Sequence, residues 1–70
     1  MKYARPVTYT AICERVGHWW EITVPELDEV TQADTLGDVP NAVADLVATM
    51  TGADPMTVQV NVADRNQLRP

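Results

Sequence analysis

Val7, Tyr9, Ala11 and Cys13 alternate with Thr8, Thr10, Ile12 and Glu14. A repeat of two is the signature of a half-buried strand, so Val7 to Val16 is predicted as the first one. Gly17-His18 is a short turn signal, after which the chain returns antiparallel. The returning strand is Trp19 to Val24, stopped by Pro25, which cannot donate to a ladder. On it Trp20, Ile22 and Val24 share the expected core face, and Trp19, Glu21 and Thr23 share the other. Two adjacent tryptophans cannot both enter a one-sided core. Trp19 is the surplus one.

Pro25 to Glu29 reads as a bend and Val30 to Ala33 as a short third strand. Thr35-Leu36-Gly37-Asp38 has the spacing of a capping box, with Asp in place of Glu. If Thr35 were the N-cap, Pro40 would be the fifth helical residue, where its ring meets a carbonyl one turn back. With Asp38 as N-cap, Pro40 falls in the first turn and is tolerated. The reading is therefore an irregular or 3₁₀ first turn over Leu36–Val39, then a helix to about Met50. Val39, Val43, Leu46, Val47 and Met50 form its apolar stripe, while Asn41, Asp45 and Thr49 face water. Gly52 is placed to end it in a left-handed cap.

Beyond Asp54-Pro55, Met56, Val58, Val60 and Val62 alternate with Thr57, Gln59 and Asn61, which predicts a final strand. Ala63 to Pro70 reads as a polar tail. The order is βββαβ, an α+β fold of two layers: a small antiparallel sheet with one helix packed on it. A single domain over residues 1–70, with its core at about 7–62, is expected.

Size changes the picture. A chain of 70 residues buries only ~60% of its unfolded surface, and such cores need support. Cys13 is the only cysteine, so no internal disulfide can form. His18 and Cys13 are the only soft ligands, too few for a structural metal. Self-association, as a dimer or tetramer, or a partner remains. The charged start, Met1 to Pro6, leads into no long apolar run, and no stretch approaches the ~20 apolar residues of a membrane span. No signal peptide and no membrane contact are expected. A free thiol without export signals fits a cytoplasmic location.

The formal charge is −5, and its placement matters more than its size. No Lys or Arg stands between Val16 and Asp64, a stretch holding Glu21, Glu26, Asp28, Glu29, Asp34, Asp38, Asp45 and Asp54. Nucleic-acid affinity comes mostly from cations on phosphates, so direct nucleic-acid binding is not expected. An acidic body serves solubility, or it steers a basic protein inward.

Trp is enriched at the buried centres of interfaces, so Trp19 is read as covered by another subunit or a partner. Trp19, Glu21, Thr23, Glu26, Gln59 and Asn61 make up the expected interface set. His18 is read as a turn residue, because the chain has no serine or second cysteine for it to activate. Cys13 is read as a small buried hydrophobe. Glu26, Asp28 and Glu29 lack the ligand spacing of a calcium loop and read as a solvated acidic bend. No Gly-rich phosphate loop occurs. No catalytic residue, metal or cofactor is expected, and the chain does not read as an enzyme.

The stretch "WWEITVPELDEVTQADTLGDVPNAVADLVA", Trp19 to Ala48, resembles the core of the HicB antitoxin family. Those domains show an aromatic strand ending in Val-Pro-Glu-Leu, then Thr-Gln-Gly-Asp-Thr-Leu and a helix beginning Glu-Glu-Ala. Trp20 takes the aromatic position, Val24-Pro25-Glu26-Leu27 the strand end, and Thr31-Gln32-Ala33-Asp34-Thr35-Leu36 the approach to the helix. Asp28-Glu29 stands where the family has Pro-Gly, Ala33 where it has Gly, and Gly37-Asp38-Val39-Pro40 where it begins its helix. Two positions permissive for left-handed backbone are thereby lost. The resemblance implies a βββαβ, partial ribonuclease-H-like fold that self-associates. It also implies a small RNA-cleaving (HicA-like) toxin partner whose active site the antitoxin covers. Many members carry a C-terminal DNA-binding module. Only eight residues follow Val62, too few for one.

Overall fold

The structure, a computed structural model, describes residues 7–65. Four strands and one helix follow in the order β1 (Thr8–Val16), β2 (Trp19–Val24), β3 (Glu29–Ala33), α1 (Val39–Thr51) and β4 (Gln59–Asp64). Short 3₁₀ turns occupy Pro25–Leu27, Leu36–Asp38 and Pro55–Thr57.

β1 and β2 pair antiparallel with Val16 opposite Trp19, leaving Gly17-His18 as a two-residue loop. Gly17 has φ 59, and His18 has no positive φ. That sign pattern is a type II′ turn, whose twist matches the strands it joins. β3 adds antiparallel to β2, while β4 runs parallel to β1, with Thr8 beside Gln59 and Cys13 beside Asp64. The sheet order is β3-β2-β1-β4.

The expected antiparallel sheet is thus corrected to a mixed one. Two successive reversals leave β3 running in the same direction as β1. A single helix then carries the chain back, so β4 must start at the end where β1 starts.

α1 covers one face of the sheet. Ala11 and Cys13 of β1, Ile22 and Val24 of β2, and Ala33 of β3 meet Val39, Val43 and Val47 of the helix, all buried. Tyr9, Trp20, Leu27, Leu46, Val58 and Val60 pack around them. Each fully buried aliphatic side chain contributes about 1.5–3 kcal/mol. The alternation of β1 and β2 and the helical stripe converge on this one cluster, except that Met50, expected in the stripe, is exposed.

The helix start uses both candidate caps in succession. Thr35 Oγ1 accepts from the Asp38 backbone N–H at 3.2 Å, capping the 3₁₀ turn, and Asp38 then occupies the N-cap of α1 without a side-chain bond. Pro40 sits in the first turn. At the other end Gly52 takes φ 76 and donates to the Ala48 carbonyl at 2.9 Å. The bend after β2 keeps a left-handed residue despite lacking glycine: Asp28 adopts φ 52, a region Asp tolerates better than most residues.

Four boundaries shift. β3 takes in Glu29, which was expected in the preceding bend. Val7 lies outside β1 and is exposed, although its carbonyl accepts from the Gln59 N–H at 3.3 Å. The final alternation does not begin at Met56, which is 90% exposed. Asp54 Oδ1 accepts from the Met56 N–H at 2.9 Å and Thr57 Oγ1 donates to the Asp54 carbonyl at 2.7 Å. The Asp-Pro pair therefore makes a turn where the hydropathy pattern alone reads strand. At the other end β4 continues through Ala63 and Asp64, so the expected polar tail starts later than Ala63. The rest of that tail, 66–70, and the charged segment 1–6 lie outside the described residues.

Candidate functional site

Pairing fixes which side chains share the face opposite α1. One row across the sheet runs Val30, Thr23, Ile12, Ala63, and the next holds Gln32, Glu21 and Glu14. Trp19 faces Val16 beyond them; Thr10 lies beside Asn61, and Thr8 beside Gln59. Among the described residues, the helix and the core cluster lie on the other side.

Trp19 is half-buried, as are Glu21, Thr23 and Ile12, whereas Val30 and Gln32 on edge strand β3 are exposed. Trp19, Glu21, Val30, Thr31 and Gln32 line an open recess of about 340 Å³. Trp20, one residue along, faces the core side. There the Arg15 guanidinium lies 5.8 Å from its ring centroid, held by a 3.0 Å hydrogen bond from Arg15 Nε to the Gly17 carbonyl.

The acidic groups differ in how they are satisfied. Glu14 Oε1 lies 3.4 Å from Arg65 Nε, a charge contact without hydrogen-bond alignment. Glu26 Oε1 accepts from the Thr10 backbone N–H at 3.0 Å and Oε2 from its hydroxyl at 2.8 Å. These bonds to the ionised form, the backbone one first, hold the Glu26 carboxyl below its usual range. Glu21 faces Glu14 across the β1–β2 pair and Gln32 across the β2–β3 pair. It makes no hydrogen bond or ion pair with any described residue.

Of the expected interface set, Trp19, Glu21 and Thr23 come together on the open side of β2. Gln59 and Asn61 share that face, but β1 stands between. They lie beside Thr8 and Thr10 whereas Trp19 lies opposite Val16, so the register sets them roughly 20 Å or more from Trp19. Gln59 Oε1 also accepts from Thr8 Oγ1 at 3.2 Å. Glu26 is turned toward Thr10 rather than toward Trp19. Val30 and Gln32 were missing from the set, although the alternation of the short third strand places both outward.

Cys13 is fully buried; burial first, and then the charge of Asp64, push its thiol up from the ordinary value. Its Sγ donates to the Ala11 carbonyl at 3.5 Å. His18 is exposed in the hairpin turn. Among the described residues no three His, Cys, Asp or Glu side chains converge to hold a metal, and no helix is long and apolar enough to cross a membrane.

No family model, curated protein or solved structure matches this chain.

Proposed function

We propose that this chain is a HicB-like antitoxin-type module that binds a small, basic, RNA-cleaving toxin and occludes its active site. The observation that carries the reading is the open sheet face bearing a half-buried indole beside a carboxylate that pairs with no described residue, Trp19 and Glu21. The βββαβ order, with one helix on the sheet, agrees with what the resemblance of Trp19–Ala48 implies, a HicB-like, partial ribonuclease-H-like fold. The scarcity of cations across the body favours a basic protein over nucleic acid.

The physical mechanism is steric. The acidic face raises the encounter rate with a cationic surface, and an aromatic anchor slows release. Co-expression with the neighbouring reading frame tests it. A captured basic chain and rescued growth support the reading; a toxic neighbour left uncaptured removes it. Among the described residues the outer edges of β3 and β4 have no strand partner, which favours a second reading, an oligomeric domain of the same fold with a regulatory or structural role. A mass of one chain by light scattering would remove this second reading, which requires self-association without any partner, while capture of a toxin distinguishes the first.

A further inference from the structure

On the basis of the protein-binding reading, we infer that the recess beside β3 receives one arginine side chain of a basic protein partner, its guanidinium held between the Trp19 indole and the Glu21 carboxylate. Both cations among the described residues are already engaged, Arg15 with Trp20 and Gly17, and Arg65 with Glu14. Glu21 therefore has no cation among the described residues, since Glu14, directly across the strand pair, already has Arg65 beside it. A cation for Glu21 comes from outside those residues.

The lining selects among cations. Trp19 offers an aromatic face, Glu21 a carboxylate, and Gln32, directly opposite Glu21, a side-chain carbonyl. A guanidinium is planar, stacks on indole, and donates two parallel bonds to a carboxylate. An ammonium is more strongly hydrated and presents no plane to stack. One carboxylate is too few for a divalent ion, which seeks several oxygen ligands.

At about 340 Å³ the recess lies at the low end of the ~300–1,000 Å³ found for ligand pockets, and it is open to the edge. A single side-chain head fits such a space.

The probe is N-acetyl-arginine amide, titrated into the full 70-residue chain while the Trp19 indole N–H resonance is followed. A saturable shift is expected, with a weaker one for N-acetyl-lysine amide and none for the neutral isostere N-acetyl-citrulline amide. Glu21→Gln should weaken binding about tenfold, the loss of one charge-assisted pair. Backbone amide dispersion in the same spectra reports folding, and Gln32→Leu, which removes the second acceptor, serves as an independent variant expected to weaken binding.

An equal shift with citrulline, unchanged binding by Glu21→Gln in a folded protein, or no saturable shift would overturn the assignment. So would a dimer that Glu21→Gln dissociates, since the occupant would then be a second copy. Capture of the toxin without arginine binding sinks this assignment alone. Arginine binding without toxin capture sinks the antitoxin reading and leaves the receptor standing.

Discussion

Glu26 closes on Thr10 twice, through the backbone N–H at 3.0 Å and the hydroxyl at 2.8 Å. The β1–β2 pairing extends only to Ile12 opposite Thr23, and β2 ends before Pro25. The Thr10 N–H thus lies beyond the ladder on that side, and a buried or half-buried donor without a partner is costly. Glu26 supplies the acceptor that the strand no longer can. It ties the turn Pro25–Leu27 to β1 and so fixes the exit of the chain from β2.

This tie carries a pH signature. The folded carboxyl titrates below its ordinary value of 4.5, so its contribution is complete above that value. It is lost as pH falls through the lower folded midpoint. Glu26→Gln should therefore lower the urea midpoint at neutral pH, with the difference from wild type shrinking in acid. A gap that stays constant from pH 7 down to the acid limb would contradict the bond.

Glu14 and Glu21 stand directly opposite each other on the open face. Like charges so placed destabilise a strand pair, by the lower part of ~0.2–1 kcal/mol when partly solvated. Glu21→Gln should raise stability slightly in low salt, an effect that fades as salt is added. Chemical denaturation at two ionic strengths measures it, and a loss of stability in both would show that Glu21 has a partner within its own chain.

Two left-handed residues make opposite predictions. Gly52, φ 76, ends α1 and donates to Ala48; adding a Cβ there costs about 1–2 kcal/mol of backbone strain. Asp28, φ 52, already bears that strain. Thermal unfolding should show Gly52→Ala less stable than wild type and Asp28→Gly close to it or slightly better. Similar losses for both would remove the left-handed assignment at Asp28.

Ile22 and Trp19 divide stability from recognition. Ile22 is fully buried under the helix, and Ile22→Ala should cost about 2–5 kcal/mol. For a domain of this size that is most of the total. Trp19→Ala removes a half-buried ring from the open face and should cost far less in denaturant. A Trp19→Ala variant as unstable as Ile22→Ala would make Trp19 a core residue.

Much of this arrangement is legible along the chain because chemical stops coincide with changes of period. β2 is bounded by a Gly-His turn and a proline, and both ends fall where those residues put them. Gly52 likewise marks the end of α1. The start of β4 is hidden because Met56 continues an alternation that the Asp54-Pro55 turn interrupts. The direction of β4 depends on how the helix carries the chain back, and its neighbour depends on long-range pairing, which no local pattern encodes. That pairing also sets Gln59 and Asn61 two strand spacings from β2 and toward the end of the sheet away from Trp19. The partners of the individual acids, Glu26 with Thr10 and Glu14 with Arg65, require the fold itself.

The most direct test takes the chain co-expressed with its neighbouring reading frame and purifies it as wild type, Trp19→Ala and Glu21→Lys, each first verified as folded. Wild type is expected to retain a basic chain and restore growth, and both substitutions on the open face of β2 to weaken capture, the charge reversal most. A toxic neighbour captured equally by all three, or by none, would contradict that expectation.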